Sequence, residues 1–305
     1  MTERIEQGKG NGKTMRAVVV DGFGGPEQVR VAEVEVPRPA AGQVRVRVRA
    51  AGVNPVDGAV RAGVFGGAGQ RIGLGWDVAG EIDEVGPGVE GWTPGSRVVG
   101  LHYGTVKPLG THAEYAVLDA SAVAAAPESV DAAVAAALPL SGLTAARALD
   151  LLGLGAGESV LITGAAGSVG GIAVQLAARA GLVVTALAGE GDEELVRSLG
   201  AKEFVPRGAE PAGPVDGVLD AAVLGAAALG FVRDGGAYVG LIPGAAPAAE
   251  RGVRVVEQEV AADGAELGRL VGLVDAGELT LRVGRTFGLA EAAEAHAVLA
   301  APGYP

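Results

Sequence analysis

The chain contains no cysteine, which removes disulfides, a thiolate nucleophile and any thiolate-held metal together. Histidine is nearly as scarce: the three present, His102, His112 and His296, do not show metal-ligand spacing. There is no run of eighteen uninterrupted apolar residues and no basic, then apolar, then small-residue leader. Neither a membrane span nor a secretory signal is indicated, and a cytoplasmic protein is expected. Positive charge is the minority, with 24 Lys+Arg against 36 Asp+Glu and a formal net charge of −12. A chain of that charge repels a polyphosphate, so nucleic acid is not an expected partner. Arg45, Arg47 and Arg49, alternating with Val44, Val46 and Val48, accordingly read as the watered face of a strand. Lysine is rare beside arginine, and alanine and glycine abound, which suggests a GC-rich bacterial genome.

What is abundant is glycine, 52 residues, and one group of glycines is informative. Ser159 to Thr163 is an apolar run that suits a central parallel strand. Gly164-Ala-Ala-Gly167-Ser-Val-Gly170 turns the chain, and Gly171 to Arg179 reads as a helix that begins inside the turn. In a dinucleotide-binding turn, Gly167 lets backbone N–H groups approach a pyrophosphate and Gly170 allows close packing of helix on strand. The spacing is imperfect, because Ala165 stands where the first glycine of G-x-G-x-x-G belongs. The residues that follow supply the context. Leu182–Leu187, Phe204-Val205, Gly217–Asp220, Ala237–Ile242 and Val253–Val256 are strand candidates separated by helices or turns, including Glu193–Leu199 closed by Gly200. Six strands alternating with helices predict an α/β, doubly wound parallel sheet, a Rossmann domain.

The earlier residues have a different texture. Met15–Val20, Gln28–Val36, Val44–Ala50, Val78–Val85, Arg97–Gly100 and Ala113–Leu118 are strand-like, with Gly, Pro, Asn and Asp clusters between them. At 305 residues and 49% apolar composition the chain can fill two cores. The expected organisation is a polar, disordered tail over 1–14, a β-rich catalytic domain from 15–130 and 265–305, and a Rossmann domain over 131–264. The return segment predicts a helix from Leu267 to Asp275, extended chain at Thr280–Val283 and Phe287, and a helix from Glu291 to Ala300.

Met15-Arg-Ala-Val-Val-Val-Asp-Gly-Phe-Gly-Gly-Pro26, Ala51-Gly-Val-Asn-Pro-Val-Asp57, Gly75-Trp-Asp-Val-Ala-Gly80, Leu138-Pro-Leu-Ser-Gly-Leu-Thr-Ala145, the glycine turn and Leu289-Ala-Glu-Ala-Ala-Glu-Ala-His296 occur in this order. Together they resemble the medium-chain dehydrogenase/reductase superfamily, in particular its zinc-independent quinone oxidoreductase branch. The resemblance runs over nearly the whole chain from residue 15. It implies a GroES-like fold for the β-rich domain and hydride transfer from NAD(P)H. Where the zinc alcohol dehydrogenases of the superfamily have a Cys this chain has Asn54, and where they have a His-Glu pair it has Trp76-Asp77, so no metal is expected. The acceptor is then one that takes hydride readily, a quinone or an alkene conjugated to a carbonyl. The resemblance also implies a homodimer formed through the last Rossmann strand, and a further strand beyond Pro305.

Asn54 is the first candidate for the catalytic site, since its amide can donate to a substrate oxygen or a cofactor hydroxyl; alternatively Asn54-Pro55 is only a turn. His102 and Tyr103 follow a strand and are candidate proton donors. Thr144 matches the position that faces the nicotinamide end of the cofactor, or else is a capping or buried threonine. His296 reads as a surface or packing residue. Gly164, Ala166, Gly167, Ser168, Val169, Gly170, Ala188, Leu241 and Ile242 complete the expected cofactor site. Glu190, by its spacing from Gly170, suggests NAD, whereas Arg207 after the third strand offers a cation for the 2′-phosphate of NADP. NADPH is the expectation, with NADH the alternative. Substrate-facing loops are expected at Phe65–Gly69 and Leu101–Leu109. An NADPH-dependent quinone reductase is the leading function. The alternatives are an enoyl reductase of a biosynthetic pathway and a dinucleotide-binding sensor or structural protein with little turnover.

Overall fold

The computed structural model describes residues 12–301. The chain divides into two compact units: one holds the residues up to Ala126 and from Gly284 onward, and the other runs Pro127–Val283.

The first unit is built from β1 (Thr14–Val20), β2 (Arg30–Glu35), β3 (Gln43–Ala50), α1 (Pro55–Arg61), β4 (Ile72–Gly73), β5 (Asp77–Val85), β6 (Arg97–Leu101), β7 (Tyr115–Asp119) and β8 (Val123–Ala125). Its strands form two antiparallel sheets, ordered β2-β1-β4 and β7-β3-β5-β6-β8, a GroES-like arrangement. Period-two alternation explains β3: Val44 and Val46 are buried in a core with Val78, Ile82, Val98 and Leu118. The intervening arginines meet acids of β5, Arg45 and Arg47 on Asp83 and Arg49 on Glu81. The arginine stripe is thus neutralised within its own sheet.

The second unit contains α2 (Ala132–Ala135), α3 (Pro139–Leu152), β9 (Ser159–Thr163), α4 (Ser168–Arg179), β10 (Val183–Ala188), α5 (Glu193–Ser198), β11 (Glu203–Pro206), β12 (Val215–Asp220), α6 (Ala226–Leu229), β13 (Val232–Gly240), β14 (Arg254–Glu257) and α7 (Gly264–Asp275). Its six strands are parallel and ordered β11-β10-β9-β12-β13-β14, so the winding reverses between β9 and β12 as in a dinucleotide-binding sheet. Val160, Leu161 and Ile162 are wholly buried, which is why β9 reads as an unbroken apolar run. Ala132–Leu152 is long and apolar enough by composition to cross a membrane, yet 67% of its most apolar window is buried, as for a core element. Pro139 opens α3 and Gly153, at φ +65°, closes it. Arg254 of β14 donates to the Leu151 and Leu152 carbonyls, each at 2.8 Å, supplying the cation that a helix C-terminus favours.

The return to the first unit begins at Gly284, later than position 265. The reason is α7: Leu267 and Leu270 are fully buried, and Leu270 sits at Gly142 of α3, where a Cβ would come within 3.1 Å of it. Thr280–Val283 and Phe287 join no strand ladder. Instead the Thr280 N–H and C=O both bond the Gln175 side chain of α4, at 2.7 and 3.1 Å, so a side chain substitutes for a neighbouring strand. The last helix, α8 (Ala292–Leu299), is in the first unit. Ala292 and Ala293, with Leu289 ahead of them, pack on the core of Val18, Val20, Val60 and Ile72. Strand β13 stops at Gly240, leaving Leu241 and Ile242 beyond its end. Thr14, assigned by sequence to the tail, already belongs to β1. The rest of that tail up to residue 11, and the strand expected beyond Pro305, lie outside the described residues.

Candidate active site

After β9 the chain turns through Gly164, at φ +60°, and reaches Gly167, the residue that caps α4. A left-handed backbone favours glycine at the first of these. At Gly170 the constraint is space: a Cβ would stand 2.1 Å from the Gly164 carbonyl oxygen, and at Gly167 it would stand 3.2 Å from the same atom. The first hydrogen bond of α4 runs from the Gly171 N–H to the Gly167 carbonyl, 2.8 Å. The Ser168, Val169 and Gly170 amides therefore precede the helical ladder, and no acidic residue occupies the first turn. Bare amides at the positive end of a twelve-residue helix, with side chains absent where a ligand must approach, fit a dinucleotide pyrophosphate.

One member of this site has no signature in the sequence. Arg282, more than a hundred positions away, donates its Nη1 to the Ala166 carbonyl at 2.8 Å, pinning the turn and placing a cation beside it. Thr144 lies buried in α3. Ala188 ends β10, and its carbonyl accepts the Arg207 N–H at 2.7 Å. The Arg207 side chain is exposed and has no ion-pair partner among the described residues. Glu190 is also exposed, in a short turn fixed by the Asp192 carboxylate on the Gly189 N–H at 3.0 Å. Ile242, beyond β13, is half-exposed.

In the first unit, Asn54 caps α1 and is followed by Pro55 at the first helical position, so the Asn-Pro pair starts a helix. The Asn54 N–H donates to Asp57 at 2.9 Å, and the other Asp57 oxygen accepts the Gly75 N–H at 2.8 Å. The Asn54 amide donates to Asp77 at 2.5 Å. The His102 N–H bonds the Trp76 carbonyl at 2.7 Å, and Tyr103 meets the Trp76 ring edge-on at 5.5 Å. Lys107 is only 8% exposed. Its Nζ donates to the His102 carbonyl at 2.6 Å and lies 4.7 Å from the centre of the Trp76 ring.

Asn54, His102 and Tyr103 are thus brought into one neighbourhood around Trp76 and Asp77. Burial, then the Lys107 charge, push the His102 imidazole down to about 4, so it is neutral at pH 7. Burial pushes the Lys107 ammonium down to about 8 against the opposing pull of Asp57 and Asp77. Lys107 is the member that sequence reasoning missed. The available signal was its rarity, since the chain's lysines are Lys9, Lys13, Lys107 and Lys202 alone. Among the described residues no group of three or more His, Asp or Glu side chains could hold a metal ion. The donor set at the superfamily's metal positions, an amide and an indole beside one carboxylate, does not fit zinc.

His296 is wholly buried on α8. Its Nδ1 faces the Arg61 guanidinium at 3.3 Å and its Nε2 has no hydrogen-bond partner among the described residues, with His112 edge-on at 6.0 Å. Arginine can only donate, so Nδ1 accepts and the ring is neutral. Burial pushes His296 down to about 4, with the His112 and Arg61 charges adding to the effect. His102 and His296 both lie well below their ordinary 6.5, so in the intervening range the unfolded chain binds more protons than the folded one. From the histidines stability is therefore expected to fall as the pH drops from 6.5 toward 4, and to be level between 6.5 and about 8, above which the depressed Lys107 ammonium adds a rise of its own. The slope is up to about 1.4 kcal/mol per pH unit for each histidine. Urea midpoints measured across this range test it: His296→Leu should remove about half the slope, and an unchanged slope in that variant would exclude His296 as its source.

A parallel sheet with a glycine turn in one unit, and a buried polar cluster in a β-rich GroES-like other, define the class as a nicotinamide-dependent oxidoreductase. Residues 40–128 match the profile of the alcohol dehydrogenase GroES-like domain, and residues 191–303 that of the zinc-binding dehydrogenases. The chain is 33% identical to the chloroplastic quinone-oxidoreductase QR1 of Triphysaria versicolor, over 94% of this chain and 95% of that protein. It is 31% identical to the chloroplastic NADPH-dependent alkenal/one oxidoreductase of Arabidopsis thaliana, over 77% of this chain and 64% of that one. The solved quinone oxidoreductase of Coxiella burnetii superposes with a TM-score of 0.85 at 28% identity, covering 94% of this chain and 96% of that one. The chain belongs to the medium-chain dehydrogenase/reductase superfamily, among the homologues of the quinone oxidoreductases.

Proposed function

We propose that the chain is a zinc-independent, NADPH-dependent reductase of quinones or similar conjugated carbonyls, acting as a homodimer. The observation that carries the reading is the pairing of an intact pyrophosphate cradle with a metal-position cluster whose side chains are an amide and an indole. The dinucleotide, when bound, supplies the hydride. Ser168, Val169 and Gly170 hold its pyrophosphate through their amides, and Thr144, Ala188, Leu241 and Ile242 belong to the same proposed site. Asn54 is held in one rotamer by Asp77 and presents its remaining N–H to a substrate or cofactor oxygen. Tyr103, exposed and braced edge-on by the buried Trp76, offers a flat ring against which a planar acceptor can lie. His102, half-buried and neutral at pH 7, does not supply a proton as imidazolium. Strand β14 is the sheet edge that would pair with its twin in the dimer.

Arg207 supports NADPH: its backbone is tied to the end of β10, while its exposed guanidinium has no ion-pair partner among the described residues and can meet a phosphate. Arg207→Glu should weaken NADPH binding about tenfold or more, since one lost charge-assisted contact is worth at least ~1.4 kcal/mol, with little change for NADH. Equal affinities of variant and wild type for NADPH would remove Arg207 from the site. The function itself is tested by NADPH and NADH oxidation against quinones and enones. NADPH-preferring quinone turnover supports the proposal. Turnover of enones alone would favour an enone reductase, the reading supported by likeness to the alkenal/one oxidoreductase. Binding without turnover would favour a sensing role.

A further inference from the structure

We propose that Lys107 carries the positive charge at the acceptor's oxygen that a metal carries in the zinc enzymes, and that its ammonium donates the proton that completes reduction. Asn54, Trp76 and Asp77 leave the metal positions without a cation, and the same neighbourhood contains a buried ammonium. Lys107 lies over the Trp76 ring, with its Nζ 4.7 Å from the ring centre. Among the described residues only one of its three N–H donors has an acceptor, the His102 carbonyl at 2.6 Å. Two carboxylates, Asp57 of α1 and Asp77 of β5, act on it electrostatically without a hydrogen bond to it. His102, on the loop after β6, is the remaining titratable group that faces it.

Burying a lysine with two N–H donors unanswered costs free energy that a packing role would not require. A leucine or methionine would fill the volume without that cost. An anionic or partly anionic oxygen supplies the missing acceptor, and a desolvated ammonium binds it far more strongly than one in water. The flanking residues indicate what carries the oxygen. Tyr103, Val106 and Phe65 are exposed apolar side chains. The loop bearing Phe65 lies against Val106, whose Cγ1 would be 3.0 Å from a Cβ on Gly67. The ligand class is a planar, apolar ring or enone ending in a carbonyl.

The acceptor would take hydride from the reduced nicotinamide of the proposed function when that cofactor is bound, the nicotinamide being oxidised by two electrons in turn. The carbonyl π pair moves onto oxygen, and that oxygen takes a proton from Lys107 Nζ. The neutral amine then regains a proton from water. A lysine held near pH 8 can give up a proton at neutral pH and recover it.

The proposal rests on the quinone-reductase reading, so its test includes a measurement that needs no turnover. 4-Nitrophenolate, an aromatic ring ending in an anionic oxygen, is titrated into the cofactor-free protein alongside neutral nitrobenzene. Quenching of Trp76 is followed in a Trp92→Phe background. Wild type should prefer the anion at least tenfold, Lys107→Met should lose the preference, and Lys107→Arg should keep it. If the oxidation assays show turnover, Lys107→Met should lower kcat at least a hundredfold with a much smaller change in KM, and the alkaline limb of the kcat profile should disappear. Equal anion preference in wild type and Lys107→Met would overturn the proposal whatever the oxidation assays show. Anion preference without turnover of any acceptor would retain Lys107 as an oxyanion site and reject the reductase reading.

Discussion

Gly170→Val is expected to weaken dinucleotide binding at least a hundredfold in a protein that still folds. A Cβ at Gly170 would lie 2.1 Å from the Gly164 oxygen, 2.8 Å from its carbonyl carbon and 2.9 Å from the Ala165 Cα. All three are backbone atoms, so no rotamer relieves the clash, and α4 must move away from β9. Overpacking of this kind costs about 1–3 kcal/mol, which a domain of this size survives. The consequence for ligand binding is larger, because the Ser168 and Val169 amides move with the helix. A hundredfold loss is about 2.7 kcal/mol, the worth of one or two charge-assisted hydrogen bonds. Gly272→Ala in α7 is the control, since its Cβ meets nothing within 4 Å; it should leave binding unchanged and stabilise the helix by roughly 0.5–1 kcal/mol. Calorimetric titration with NADPH reads both variants. A folded Gly170→Val protein with wild-type affinity would mean that the turn does not bind the pyrophosphate.

The same glycine shows what a sequence can reveal. Strand, turn and helix are contiguous, so the apolar run to Thr163 and the glycines after it predict local geometry without knowledge of distant contacts. Period-two alternation placed the buried valines of β3 for a similar reason. The return segment was less legible. Thr280–Val283 is apolar enough to suggest a strand, but its partner is the side chain of Gln175, and no periodicity encodes such a contact. The assignment of α7 depended likewise on Gly142 leaving room for Leu270. At the candidate site, Asn54, His102 and Tyr103 stood out because each matches a position or follows a strand. Lys107 and Arg282 did not, because what distinguishes them is burial for one and a single carbonyl contact for the other. Both arise only when distant segments meet.

Asp220→Ala is expected to be the most damaging single substitution to the stability of the second unit. Asp220 is 1% exposed at the carboxyl end of β12. Its carboxylate accepts four hydrogen bonds: Thr163 Oγ1 at 2.6 Å, the Tyr238 hydroxyl at 2.7 Å, and the Gly225 and Leu224 N–H groups at 2.8 and 3.1 Å. It therefore joins β9, β12 and β13 and fixes the following turn, where Val223 is held at φ +57°. Burial and the Asp220 charge both raise the Tyr238 hydroxyl, so it remains a donor that needs this acceptor. Alanine would strand these donors in a core too tight to hydrate them all, at a cost of about 3–5 kcal/mol. At roughly 2–4 °C per kcal/mol the melting transition should fall by about 10 °C. The turn it anchors borders the glycine cradle, with Ala221 and Ala222 backbone atoms 3.4 Å from where a Cβ on Gly164 would lie, so NADPH affinity should fall as well. Tyr238→Phe separates network from packing: it removes one donor and preserves the ring. It should cost much less alone and reduce the penalty of Asp220→Ala when the two are combined. Strict additivity in that cycle would mean that the carboxylate and the hydroxyl are not coupled, and the stability of the sheet's carboxyl end would then rest on its apolar core.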